Sequence, residues 1–156
     1  MPPLGFDHTI EIAAAPARVF AAFFDPAALA DWWQCVRSVT TPRPLGVFAV
    51  EWNPTPFRDE VLGRLGGVLH GMVMDVRPGE AFFVANVHWI PPEGDPVGPM
   101  ALEVTCAAAG ASTRLSVALR GYEAAARWQR YYQVVGPGLV ESLSRLKRRL
   151  EQGQAT

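Results

Sequence analysis

The sequence predicts an α+β fold, an antiparallel sheet with helices on one side, and three observations carry that expectation. Several stretches up to Gly121 alternate apolar and polar residues, the period of half-buried strands. Two proline-led apolar segments interrupt the strands just after the first one. From Glu123 onward the apolar spacing changes to three or four, the period of a helix.

The elements follow in order. "FDHTIEI" sets Phe6, His8, Ile10 and Ile12 against Asp7, Thr9 and Glu11 and reads as the first strand. In "PARVFAAFFDPAALADWW", Pro16 suits a first helical position, and Asp25 before Pro26 ends one helix and can cap the next. Two short helices in a V result, the second ending on Trp32 and Trp33. "VRSVTT" and "GVFAVEWN" are strands across a Pro-Gly turn, with Phe48, Val50 and Trp52 on one face. "NPTPFRDE" is a loop. "GVLHGMVMDV" resumes the alternation, which places His70, Met72, Met74 and Val76 on one side. "AFFVANVHWI" is apolar on both faces, so parity alone does not say which is inner. "PPEGDPVGP" is a loop, and "MALEVTCAA" with "TRLSVALRGY" forms a hairpin whose inward residues are Leu102, Val104, Cys106, Leu115, Val117 and Leu119. The last helix carries a stripe of Trp128, Tyr131 or Tyr132, Val135, Leu139, Leu143, Leu146 and Leu150, with Arg145, Lys147, Arg148, Glu141 and Glu151 on other faces. "GPG" at 136–138 is expected to kink or break it.

Composition bounds the function classes. The chain has 156 residues, 49% of them hydrophobic and 19% charged, the balance of one globular domain spanning 1–156. A net charge of −1 provides no field to recruit nucleic acid or an anionic membrane. No apolar run is long enough to span a bilayer. The start, "MPPLGFDHTIEI", has neither a basic n-region nor an apolar h-region, so a cytoplasmic protein is expected. Cys35 and Cys106, without CxxC spacing, read as reduced thiols. No His-x-x-x-His pair, G-x-S-x-G elbow, P-loop or dinucleotide fingerprint occurs, so no metal and no cofactor is expected.

The strand, proline-led helix and tryptophan-ended helix of "IEIAAAPARVFAAFFDPAALADWW" resemble the START-like, or SRPBCC, superfamily. So do the glycine-led strand and turn of "HGMVMDVRPGEAFF", the strand "STRLSVALRGY" and the helix "GLVESLSRLKRRLE". Within it the chain is most similar to small bacterial homologues of the activator of the heat-shock-chaperone ATPase; polyketide cyclases and birch-pollen-allergen-like proteins are also related. The resemblance implies a helix-grip fold, a curved antiparallel sheet of about seven strands wrapped around a long C-terminal helix. Many relatives have a Gly-Trp pair where this chain has "VGPGL".

The resemblance also implies a cavity between sheet and helix. Its candidate lining residues are Trp33, Trp52, His70, Met72, Met74, Phe82, Asn86, His88, Trp128, Tyr131 and Tyr132. The alternative for each large residue is that it only fills the core. The short helix pair would plug one end, with one of Trp32 and Trp33 inward and the other outside. His8, His70 and His88 share an inward parity in this reading; His70, Asn86 and His88 would orient a ligand or exchange protons. The alternative is three structural histidines. "RLKRRLE" is either a solvated helical end or a patch for a partner.

Three functions follow from this likeness. The first is binding of a hydrophobic, aromatic or lipid-like small molecule. The second is a polyketide cyclase or dehydratase type of enzyme working by proton transfer. The third is a chaperone-interacting module. An exposed edge strand would permit a homodimer.

Overall fold

Seven antiparallel strands in a computed structural model form one sheet, which packs a long C-terminal helix and two short helices against its inner face. The structure describes residues 5–121 and 125–153; the expected strand end at Tyr122 and helix start at Glu123 lie outside them. Strand β1 (Gly5–Ile12) leads into α1 (Pro16–Ala21) and α2 (Pro26–Trp32). Then come β2 (Arg37–Thr40), β3 (Val47–Trp52), the two-residue strands β4 (Arg58–Asp59) and β5 (Gly63–Arg64), β6 (Gly67–Arg77), β7 (Ala81–Ile90), β8 (Val97–Ala109), β9 (Ser112–Gly121) and α3 (Ala126–Gln152). The sheet order is β1-β9-β8-β7-β6-β3-β2, a meander in which β1 crosses to pair with the last strand; β4 and β5 form a separate small hairpin. This is the expected α+β, helix-grip-like layout.

Local chemistry accounts for the start of the chain. Pro16 and Pro26 open α1 and α2, where a missing N–H costs nothing, and the Asp25 carboxylate accepts from the Ala27 amide at 3.3 Å as an N-cap. Helix α1 and the turn after it are anchored on one ring. Phe82 of β7 lies 4.8–5.8 Å, centroid to centroid, from Phe20, Phe23, Phe24 and Phe48. Phe82 therefore sits in the core under the short helices.

Two strands differ from the expected parity. In β6 the inward residues are Leu69 and Val73, paired with Val50 and Val84, whereas Met72 and Met74 are 43% and 47% exposed on the outer face. The strand is apolar on both sides, so alternation could not choose between them. A register shift between Val73 and Asp75 then leaves Met74 and Asp75 both exposed. In β7 Phe82 and Val84 face in, but so do Val87 and Trp89, on the opposite parity. Asn86 between them has φ 52°, a left-handed conformation that asparagine tolerates, and the register shifts there. Strand β8 also begins earlier than expected, at Val97 inside the proline-rich loop.

The long helix is continuous through "GPG", contrary to the expected break. Pro137 removes the amide that would reach the Gln133 carbonyl, but both residues lie on the exposed side of the helix rather than in the core. Gly136 is buried against β1, where a Cβ would come within 3.2 Å of the Phe6 ring. The turn is thus helical because its glycine admits Phe6 and its proline faces outward. Replacing Pro137 by Ala should raise stability, by up to about 3 kcal/mol, since it restores a bond at an exposed helix interior. Urea denaturation would measure this; a destabilised variant would show that proline relieves strain in the turn.

Candidate ligand-binding site

A cavity of about 610 Å³ lies between the inner face of the sheet and α3 and opens to solvent. Each wall comes from a different element. Trp33, Gln34 and Val36 follow α2; Trp52, Asn53 and Thr55 end β3; Leu65, Gly66 and Leu69 enter β6. Trp89, Leu102, Val117 and Leu119 form the sheet floor, and Tyr131, Val134, Val135, Gly138 and Leu139 form the helix side. The wall is mostly apolar.

Trp33, Trp52 and Trp89 border the space with Trp32 behind them, and the ring nitrogens of Trp32, Trp52 and Trp89 each donate to a main-chain carbonyl. The Trp32 indole is fully buried and donates to the Ala22 carbonyl at 2.9 Å, locking α2 against α1. Trp33 stacks on it, with centroids 5.0 Å apart and planes 10° apart, and turns its other face to the cavity. Trp52 meets Trp33 edge-on at 5.3 Å and donates to the Trp33 carbonyl at 2.8 Å. Trp89 donates to the Gly66 carbonyl at 2.8 Å and lies 5.2 Å from the Tyr131 ring. A buried indole N–H needs an acceptor, and here each one pins a connecting segment. Thus Trp32 is a core residue and Trp33 the cavity residue, rather than one inner and one outer cap.

The segment between β3 and β6 covers one side and is held from beneath. Leu62 is buried, and Asp59, its side chain 7% exposed, accepts from the Val61 and Leu62 amides and from Arg130 of α3 at 2.6 and 3.0 Å. Hydrogen bonds from Arg130, then from the Leu62 amide, hold the Asp59 carboxyl well below the usual range. Arg58 pairs with Glu93 at 2.9 Å, and Arg127 donates to the Asp95 and Pro96 carbonyls.

Polar groups reach the cavity mainly from α3. Ser142 is buried, donates to the Gly138 carbonyl at 3.0 Å and accepts from Arg145 at the same distance. Arg145 also donates through Nε to the Trp32 carbonyl at 3.2 Å, and Glu141 stands 3.5 Å from its Nη1. Tyr131 is 2% exposed. Burial raises both tyrosines, Tyr132 to about 12, so neither ionises near neutral pH.

Of the expected lining residues, Trp33, Trp52 and Tyr131 border the cavity. Trp128 and Tyr132 are buried beside Gly121, where any Cβ would overlap the Trp128 ring; the Tyr132 hydroxyl is buried without a partner among the described residues. Phe82 is the core hub described above. His70 and His88 stack at 5.8 Å on the outer face, Met72 and Met74 are exposed there, and Asn86 is exposed at its bulge. His88 Nδ1 lies 2.9 Å from the Asn86 carbonyl. These five do not converge with the cavity, because the inward rows run through Leu69, Val73, Val87 and Trp89. His8 is half-buried under α3, 6.2 Å from Phe6.

Trp89, Ser142 and Arg145 were missed. Trp89 lies beyond the parity change at Asn86, and Arg145 was read as surface decoration. The available signal was Ser142, a polar residue inside the stripe of Leu139, Leu143 and Leu146, with Arg145 one turn further along. The basic run is also less solvated than expected: Lys147 donates to the Glu11 carbonyl at 2.8 Å and Arg149 pairs with Asp31 at 2.6 Å. Cys35 and Cys106 are buried free thiols raised by burial to about 12, so both are inert. Among the described residues no cluster of three metal-ligating side chains occurs, and no helix is long and apolar enough to cross a membrane.

A seven-stranded antiparallel sheet closing over a C-terminal helix, with the short helix pair at one end, defines a START-like domain. Residues 4–151 match the family described as polyketide cyclase / dehydrase and lipid transport, and the chain belongs to it. Among solved structures, protein CV1439 from Chromobacterium violaceum is similar at 24% identity and a TM-score of 0.69, over 97% of this chain and 99% of that one. DynU16, a protein of the dynemicin biosynthetic locus, is similar at 20% identity and 0.65, over 97% of this chain and 49% of that one. The Aha1 dimer from Colwellia psychrerythraea is similar at 17% identity and 0.61, over 94% and 96%. These likenesses concern the fold. No curated protein matches the sequence significantly.

The Asp59 clamp generates a pH prediction. Its folded pKa is depressed, so its contribution is present above the unfolded value of about 3.9 and is lost as pH falls toward the folded value. Asp59→Asn should therefore melt below the wild type at neutral pH, with the gap closing as the buffer is taken below about pH 4. A gap that stays constant under acidification would mean that the amide loses packing rather than charge.

Proposed function

We propose that the protein binds a hydrophobic or aromatic small molecule in the cavity between the sheet and α3. The observation that carries this reading is the wall itself: three tryptophans, several aliphatic residues and few polar groups around about 610 Å³. That volume is within the range of small-molecule sites, roughly 300–1,000 Å³. The family's description, which includes lipid transport, supports the same reading. Tyr131 provides a neutral hydroxyl that a ligand oxygen can bond. Proton transfer by His70, Asn86 and His88 is not retained, since these residues lie on the far side of the sheet. The likeness to the Aha1 dimer adds only the fold and does not advance contact with a chaperone from third place.

Native mass spectrometry of freshly purified protein, repeated after organic extraction, tests the reading. A removable extra mass is expected, and its identity names the ligand class. A clean mass, together with no thermal shift against a panel of aromatic and acyl compounds, would overturn it.

Gly138 offers a second test, because a Cβ there meets nothing within 4 Å and the residue borders the cavity. Gly138→Phe should weaken binding of a compound found in that panel by about ten-fold or more, with a melting temperature unchanged or higher, since glycine is the poorer helix former by up to about 1 kcal/mol. Unchanged affinity in the folded variant would place the compound elsewhere.

A further inference from the structure

We propose that the ligand is an amphipathic acid whose carboxylate is seated on Arg145; this rests on the reading of the cavity as an apolar binding site. Arg145 and Glu141 are the charged residues among those lining the cavity, and they are not equivalent. The Glu141 side chain is 74% exposed at the rim, whereas that of Arg145 is 27% exposed. An ion pair at 3.5 Å, one turn apart on a helix and open to water, holds Arg145 only weakly.

The stronger partners of Arg145 are neutral. Nε donates to the Trp32 carbonyl and Nη2 to the Ser142 hydroxyl, whose own proton is committed to the Gly138 carbonyl. These contacts fix the plane of the guanidinium without cancelling its charge. A cation held by neutral groups at an apolar wall is poorly compensated, and a planar fork with donors to spare matches a carboxylate.

The rest of the cavity supplies the complementary half. Tyr131 lies 14 residues before Arg145, about 21 Å along the helix at 1.5 Å per residue and within about 40° of the same face. Between them Val134, Val135, Gly138 and Leu139 present apolar surface, opposite Trp52 and Trp89. A molecule charged at one end and apolar along its length fits this arrangement. A uniformly apolar one would leave Arg145 only its weak pair with the exposed Glu141.

The test is a titration of tryptophan fluorescence with dodecanoate and with dodecan-1-ol, below their aggregation limits, using wild type, Arg145→Gln and Glu141→Gln. Wild type should bind the acid about ten-fold more tightly than the alcohol. Arg145→Gln should abolish that preference, weakening acid binding about ten-fold more than alcohol binding. Glu141→Gln removes a competing carboxylate from an exposed position, so it should keep or strengthen acid binding, while alcohol binding by Arg145→Gln shows that the arginine variant is folded. Equal binding of acid and alcohol by wild type, a preference that survives in Arg145→Gln, or weaker acid binding in Glu141→Gln would overturn the anchoring role while leaving the apolar site intact. Binding of neither probe by wild type would remove the apolar-site reading itself, and the anchor with it.

Discussion

Three indole nitrogens that must each find an acceptor frame the site. A tryptophan in an apolar interior gains from burying its ring but loses if its N–H is stranded. In this chain the conflict is resolved three times in one way, with Trp32 donating to Ala22, Trp52 to Trp33 and Trp89 to Gly66. Each acceptor is a main-chain carbonyl in or beside a connecting segment. The rings can thus stand as rigid walls while the segments that rim the cavity are pinned to them. The paired tryptophans at the end of α2 divide the work: the buried one joins helix to helix, and the second presents its face to open space.

The same logic separates core from cavity. Beneath α1 the sheet is closed by phenylalanines gathered on Phe82, whose rings meet mostly edge to face. Toward the start of α3, tryptophan and tyrosine replace phenylalanine. These residues carry polar ends that tie to backbone or remain free at the wall.

Most of the fold was legible because it rests on periodicities that chemistry imposes locally. Pro16, Pro26 and Asp25 announce the helix pair, and the alternation in β1, β8 and β9 matches the buried rows residue by residue. The site was less legible because it depends on two departures from period. Asn86 takes a left-handed conformation and reverses the parity of β7, which brings Trp89 inward and leaves His88 outside. In β6 both faces are apolar, so the inner row of Leu69 and Val73 is chosen by partners on neighbouring strands, Val50, Val84 and Trp89. Nothing within the strand itself tells Met72 from Val73. Arg145 was illegible for another reason: its stem leaves the helix beside the stripe, and only the folded position of Trp32 gives its Nε an acceptor.

The cavity also constrains what state the protein can occupy. A sealed and empty apolar void of about 610 Å³ would cost roughly 15 kcal/mol at about 24 cal/mol per Å³, as much as the whole stability of a typical domain. The walls resist collapse, because the Trp52 and Trp89 indoles are tied to the backbone and the helix is held at its far end by Lys147 and Arg149. The space must therefore stay in contact with water through the exposed Gln34, Val36 and Asn53, or be filled by a molecule that wets its walls better than water does. Water against tryptophan and leucine is the less favourable filling. On the proposed reading, the rigidity that keeps the cavity open would favour binding, since an apolar ligand would release that water without having to order the protein around it.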